Sequence, residues 1–117
     1  METYTTVLTG HLNHHGTLFG GQLLKWVDEY AWMAASLDFT GKRLVTRAMD
    51  NIEFKNSAPN GAILRFVIEK ERTGHTSATY AVIVYCNAPG AKSEYVLFSN
   101  HVTFVAVDAD GNKTSIL

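Results

Sequence analysis

Gly20-Gly21-Gln22-Leu23-Leu24-Lys25-Trp26-Val27-Asp28-Glu29-Tyr30-Ala31-Trp32-Met33-Ala34-Ala35-Ser36-Leu37 runs without proline, and no further glycine follows until Gly41. Its Leu, Ala, Lys, Glu and Met content predicts one helix over Gly21–Leu37, roughly 25 Å long at about 1.5 Å per residue. At about 100° per residue, Gln22, Lys25, Glu29 and Ser36 form one narrow polar stripe, and apolar residues cover most of the remaining circumference. Such a helix is expected to be wrapped by other structure. Asp28 lies off the polar stripe. Its neighbours three and four residues away are Leu24, Lys25, Ala31 and Trp32, so a carboxylate stands at an apolar border.

The segments around this helix read as strands. Thr3–Thr9 is rich in Thr, Tyr and Val, and Leu44–Phe54 places Leu44, Ala48, Ile52 and Phe54 on one parity. Beyond the Ala58-Pro59-Asn60-Gly61 turn, Ala62–Arg72 carries Leu64, Phe66 and Ile68 in phase. A Thr73-Gly74-His75 turn leads into Thr76–Asn87, apolar or small on both parities as an interior strand requires. After Ala88-Pro89-Gly90 comes a last strand, Glu94–Val107, then a polar tail, Asp108–Leu117. Strand, helix and four strands joined by short turns predict an α+β fold: a five-stranded antiparallel sheet with one long helix on one face. A sheet curled round a single helix leaves a long edge exposed, and edge-to-edge homodimerisation covers it.

The 117 residues make one domain, 1–117. With 46% hydrophobic and 18% charged residues, the composition is too apolar for disorder and too polar for a membrane protein. A formal charge of −1 leaves no broad basic field for nucleic acid or a membrane surface. The single cysteine, Cys86, has no internal partner, and no charged segment followed by an apolar run opens the chain. A reducing, cytoplasmic setting is therefore expected. The phase of Cys86 with Tyr80, Val82 and Val84 predicts a buried, inert thiol. His11, His14, His15, His75 and His101 have no metal-binding spacing, so no metal is expected. Asp108-Ala109-Asp110-Gly111 lacks the remaining ligands of a calcium loop.

Chemistry concentrates before and within the helix. Gly20 and Gly21 precede it where backbone N–H groups have no helical partner, at the positive end of the macrodipole, a ready oxyanion site. Asn13, in the loop Asn13-His14-His15-Gly16-Thr17-Leu18-Phe19, reads equally well as an Asx-turn residue.

The spacing N-x-x-G-x-x-x-G-G (Asn13, Gly16, Gly20, Gly21) resembles the hot-dog-fold acyl-CoA thioesterases of the acyl-CoA hydrolase branch. So do the following L-x-x-x-D (Leu24, Asp28), Val45-Thr46 with Ile52-x-Phe54, Gly74-x-Thr76-Ser77, and the ending Phe104-Val105-Ala106-Val107-Asp108. The resemblance spans nearly the whole chain. It implies the hot-dog topology and hydrolysis of an acyl-CoA thioester to a free fatty acid and CoA at a dimer interface. Asp28 matches the family's catalytic acid, a general base on water or a nucleophile. Asn13 matches the asparagine that acts from the partner subunit, and Gly20 and Gly21 would offer backbone N–H to the carbonyl oxygen. Thr46, Gly74, Thr76 and Ser77 match residues on the CoA arm, with Lys55, Lys70 and Arg72 as candidate phosphate partners. CoA belongs to the substrate, so no cofactor is implied. Assembly as a trimer of dimers is common in this branch.

Physical chemistry agrees with those roles. Negative charge develops on the carbonyl oxygen during hydrolysis, and one preorganised donor there is commonly worth about 3 to 4 kcal/mol. A carboxylate in a partly apolar site is a better base toward water. The ordinary alternative for Asp28 is a surface acid paired with Lys25 or the Trp32 N–H. Asp50 shares a parity with Ala48, Ile52 and Phe54, which would turn it inward as a second carboxylate, but a place near a strand end or a pairing in the neighbourhood of Arg47 is the plainer reading, and it is not counted in the site. Trp26, Tyr30 and Trp32 read as core, or as the border of an acyl tunnel.

Two other functions compete. A non-catalytic acyl-CoA binding or sensing module would keep the glycines and lose the base, which Asp28 argues against. A dehydratase or isomerase would need a catalytic histidine and a glutamate partner, and the motif is missing. Phe19 stands where some relatives carry histidine, so the pocket floor is expected to differ.

Overall fold

A computed structural model describes residues 1–117. The chain forms strand β1 (Glu2–Thr6), one 3₁₀ turn (Thr9–His11), helix α1 (Gly20–Asp38), and strands β2 (Arg43–Phe54), β3 (Ile63–Thr73), β4 (Ser77–Asn87) and β5 (Tyr95–Val107). The strands make one antiparallel sheet in the order β1-β3-β4-β5-β2, and α1 lies on one face. The expected α+β arrangement is present. No helix is long and apolar enough to cross a membrane.

The helix begins one residue earlier and ends one later than the sequence predicts, because Phe19 takes the extended N-cap position and Phe39 leaves helical geometry after closing a bond to Ala35. Leu23, Trp26, Val27, Ala31, Ala34 and Ala35 are buried, a three-and-four spacing that lines one stripe. Three alanines on that stripe let the backbone lie close to the sheet. Opposite them stand Leu64, Phe66 and Ile68 of β3, Tyr80, Val82 and Val84 of β4, and Phe98, Val102 and Phe104 of β5, all almost fully buried. Tyr30 and Trp26 meet the Phe66 ring edge-on at 4.9 and 6.5 Å.

The sheet does not wrap the helix all round, as its apolar circumference suggests. Trp32, Met33 and Leu37 remain exposed on α1, because five strands cover one side of the rod only. The long unpaired edge is β2, with twelve residues against five in β1.

Three further expectations change. β1 stops at Thr6, and the 3₁₀ turn takes residues 9–11. The single parity of Leu44, Ala48, Ile52 and Phe54 is interrupted twice, since β2 slips against β5 between Thr46 and Ala48 and again between Asp50 and Glu53. Each slip inserts a residue and reverses which side chains face the helix. Met49 packs on the core in place of Ala48, and Asp50 faces the outer side, 67% exposed and 4.0 Å from His101.

The polar tail is not free either. Thr114 N–H donates to Ala106 O and Ile116 N–H to His75 O, folding the tail against the β3–β4 turn with Ile116 in the core at 1% exposure. Ile116→Ala is therefore expected to destabilise the chain by about 2 to 4 kcal/mol, while Leu117→Ala, at an exposed position, shifts it by no more than about 0.5 kcal/mol. Denaturant midpoints of the two variants check this; equal midpoints would contradict the docked tail.

Candidate active site

The phase of α1 directs Asp28 toward β2 rather than into bulk solvent. The Thr46 hydroxyl donates to Asp28 Oδ1 at 2.6 Å. One helical turn on, Trp32 Nε1 donates to the Leu44 carbonyl at 3.1 Å. Both tethers join the same flank of the helix to the first residues of β2. The alternative partners of Asp28 are thereby accounted for, since Lys25 lies 3.9 Å from Glu29 and the Trp32 N–H is spent on the backbone. Asp28 Oδ2 has no hydrogen bond, and the side chain is half-buried. One oxygen is held and the other left without a partner.

Eight positions before Asp28, the helix opens with two donors. Gln22 and Leu23 N–H both bond to Phe19 O, at 3.0 and 3.2 Å, and Gly20 and Gly21 N–H make no bond. No side chain caps this end. A Cβ on Gly21 would come 2.6 Å from the exposed Phe19 ring, which would have to turn aside, whereas one on Gly20 would meet the Phe54 ring at 3.5 Å, an ordinary contact. Two half-exposed aromatic rings thus border a helix N-terminus with free N–H groups.

Asn13 holds its own loop. Its Oδ1 accepts from His15 N–H at 2.9 Å and from Thr17 N–H at 3.3 Å, and its backbone N–H donates to Thr17 O at 2.7 Å. The Asx-turn reading describes the carbonyl half of the side chain, and the amide Nδ2 makes no bond. Asn13 and Asp28 share no hydrogen bond within the chain.

The remaining predicted residues separate into two groups. Thr46 pairs with Phe104, which pairs with Ala78, so the Gly74–Ser77 turn lies at the Thr46 end of the sheet, about 10 Å away across two strand spacings. Gly74 N–H bonds to Ser77 O at 2.7 Å, and a Cβ there would press on Ser77 Oγ at 3.3 Å. Thr46 is expected on the CoA arm, but in the structure its hydroxyl is donated to Asp28. Arg72 adjoins the turn, with Nη2 3.4 Å from Thr79 Oγ1. Lys55 is elsewhere, at the far end of β2, 2.7 Å from Glu53; that contact holds the Glu53 carboxyl below its ordinary range. Lys70 sits over the Phe39 ring at 5.2 Å, beside a 340 Å³ cavity lined by Met1, Leu37, Asp38 and Tyr80 on the opposite flank of α1. That cavity contains none of the residues around Asp28. Cys86 is fully buried, and burial pushes its thiol up. No cluster of His, Cys, Asp or Glu has metal-binding geometry.

The Trp32 tether and the Phe54 lid over Gly20 are not legible as such in the sequence. Trp32 reads as core because a helical aromatic usually is, whereas its ring is 46% exposed and its N–H does the work. Its one available signal is the i, i+4 spacing from Asp28.

Residues 15–91 match the model of the Thioesterase superfamily. Mouse acyl-coenzyme A thioesterase 11 is 31% identical over 86% of the chain, and mouse acetyl-coenzyme A thioesterase 33% identical over 82%. The chain spans only 17% of the length of each. Among solved structures, the hexameric hotdog-fold thioesterase Cj0915 of Campylobacter jejuni superposes with a TM-score of 0.87 at 29% identity, covering 98% of this chain and 88% of that one. The acyl-CoA hydrolase of Staphylococcus aureus, solved with butyryl-CoA and CoA, gives 0.87 at 27% identity over 98% and 70%. With a five-stranded antiparallel sheet curled against one long helix, and a family match over most of its length, this chain belongs to the thioesterase superfamily and has the hot-dog fold.

Proposed function

We propose that this protein hydrolyses an acyl-CoA thioester to a fatty acid and CoA, with Asp28 of one protomer and Asn13 of its partner acting on the same substrate. The observation that carries the reading is the 2.6 Å Thr46–Asp28 hydrogen bond: a carboxylate off the helix's polar stripe, oriented by a hydroxyl of β2. The superfamily match and the acyl-CoA thioesterases among the relatives support the substrate class. The Staphylococcus enzyme has also been solved with an asparagine, an aspartate or a threonine replaced by alanine, the first two separated by the same interval as Asn13 and Asp28.

Asp28 takes a proton from water as the water oxygen bonds to the thioester carbonyl carbon. The carbonyl electrons move onto oxygen, where the partner's Gly20 and the partner's Gly21 N–H groups and the partner's Asn13 Nδ2 amide are the available donors, since those of the Asp28 protomer lie about 12 Å along α1 from Asp28. When the carbonyl re-forms, the C–S bond breaks and the CoA sulfur takes the proton back from Asp28. No metal or resident cofactor enters these steps. The Gly74, Thr76 and Ser77 turn, with Arg72 next to it, lies at the Asp28 end of the sheet and suits the CoA arm. Thr46 acts through Asp28 rather than on the arm.

The assembly follows from the edge. β2, twelve residues long, is paired with β5 on one side and open on the other, with Val45, Ile52 and Phe54 exposed along it, and α1 exposes Trp32 and Met33. Pairing β2 with its counterpart in a second copy covers this edge and sets two helices side by side. The hexameric thioesterases of Campylobacter jejuni and Yersinia pestis support three such dimers. A cytoplasmic setting fits one buried thiol.

Thiol release from a ladder of acyl-CoAs, acetyl to palmitoyl, tests the activity; no release at any length would leave only a binding module. Asp28→Asn is expected to lower kcat by about 10²- to 10⁴-fold with the fold intact. Asn13→Asp keeps an acceptor for His15 and Thr17 while removing the amide donor, and is expected to cost about tenfold or more. Co-expressed in equal amounts, the two variants form hybrid dimers with one intact site, and the mixture regains about a quarter of wild-type activity under random pairing. Absence of complementation would rule out the shared site.

Thr46→Val separates orientation from binding. Losing the hydroxyl should lower kcat about 10- to 100-fold with KM little changed, and Thr46→Ser should restore it. A rise in KM alone would return Thr46 to the CoA arm.

A further inference from the structure

Asn100 is the one buried amide in the core with nothing to bond to. It is 2% exposed, and neither its Oδ1 nor its Nδ2 has a hydrogen-bond partner. It lies on β5 between Phe98 and Val102 in the alternation that faces α1, paired across β4 with Val82, and all three of those residues are fully buried and apolar. An amide carries two donors and two lone pairs, and polar side chains buried this deeply are otherwise almost always satisfied.

Its position is defined by a second, separate irregularity. On the β2 side, Asp50 pairs with His101 and Glu53 with Ser99, so two residues, Asn51 and Ile52, stand opposite Asn100 alone. Asn51 takes the left-handed region, φ 52°, to make this bulge. Bulges bend a strand away from its neighbour and are frequent beside active sites. Here β2 bends directly alongside the unpaired amide, one strand in from the open edge. Asn100 follows Phe98 on the same face of β5, about 7 Å along the strand. The Phe98 ring packs edge-on against Phe54 at 5.1 Å, and the Phe54 ring lies on Gly20 at the unpartnered helix N-terminus. A half-exposed ring thus stands between the free N–H groups and the Asn100 level of the core.

We infer that Asn100 is a specificity-determining residue at the inner end of the acyl pocket, and that the acyl group it selects carries a hydroxyl or carbonyl oxygen within its first few carbons. This deepens the thioesterase reading and rests on it. A plain alkyl chain brought under β2 would leave all of the amide's bonding capacity unmet once water is expelled, whereas a hydroxyl both donates to Oδ1 and accepts from Nδ2. A pocket for alkyl chains alone would be better served at this position by leucine. Sites built to bond an oxygen reject the analogue that lacks it more strongly than apolar pockets discriminate between chain lengths.

The test compares 3-hydroxybutyryl-CoA and 4-hydroxybutyryl-CoA with butyryl-CoA, for the wild type and for Asn100→Leu, Asn100→Ala and Asn100→Ser. The wild type should favour one hydroxylated chain by about tenfold or more in kcat/KM. Asn100→Leu should lose that preference through a gain on butyryl-CoA and a loss on the hydroxylated chain, with Asn100→Ser retaining part of it. Asn100→Ala, the smallest change, covers the case in which leucine does not fold. Calorimetric binding of the same three ligands to Asp28→Asn protein reads the same preference without turnover, so it stands even if no hydrolysis is observed. Equal preference in wild type and variants, with a raised Tm for Asn100→Leu, would overturn the inference and identify the amide as the site of an internal water.

Discussion

The closeness of α1 to the sheet governs the polar arrangement on its flank. Ala31, Ala34 and Ala35 face the strands where longer side chains would hold the helix away, and all three are buried. At that separation a helix side chain as short as aspartate reaches a threonine on β2, and an indole N–H reaches a β2 carbonyl. Each hydrogen bond of this kind contributes modestly to stability, about 0.5 to 3 kcal/mol, with those to charged groups at the upper end. Their larger effect is to fix direction: Asp28 cannot rotate into solvent without giving up Thr46, and its second oxygen is left without a partner.

That edge is the incomplete part of the protomer. β2 has a paired side and an unpaired side, and the exposed side chains nearest it include phenylalanine, isoleucine and valine. The site residues are distributed in the same way. Asp28 and Thr46 stand at one end of β2, Phe54 and the free helix N–H groups at the other, and Asn13 in a loop that touches neither Asp28 nor Thr46. The proposed pairing of a second copy along β2 would cover the unpaired backbone and the exposed apolar side chains and bring these separated residues together. The lone cavity of the protomer, on the opposite flank of α1, addresses none of the three.

The bulges in β2 link shape to chemistry. A regular twelve-residue strand would keep one parity throughout, so that a threonine at position 46 and a phenylalanine at position 54 could share a face with everything even between them. Two slips against β5 put Thr46, Met49 and Phe54 toward the helix and turn Ala48 and Asp50 away. They also curve the edge strand, and the second slip falls beside the unpaired Asn100 amide.

Much was legible in the sequence. The helix, the five strands and their short turns follow from the proline- and glycine-free run after Gly20-Gly21 and from period-two patterning, since both rest on local geometry. Asp28 stood out because a charged residue off the polar stripe needs a partner, and the spacing of Asn13, Gly20 and Gly21 marked the loop before the helix. Tertiary structure alone decided which partner Asp28 takes, that Trp32 ties α1 to Leu44, that Ile116 returns to the core, and that Asn100 is buried with no partner. These depend on the register of β2 against β5 and on how closely the helix sits over the strands. No stretch of residues encodes either in isolation, because each is settled by contacts between segments far apart along the chain.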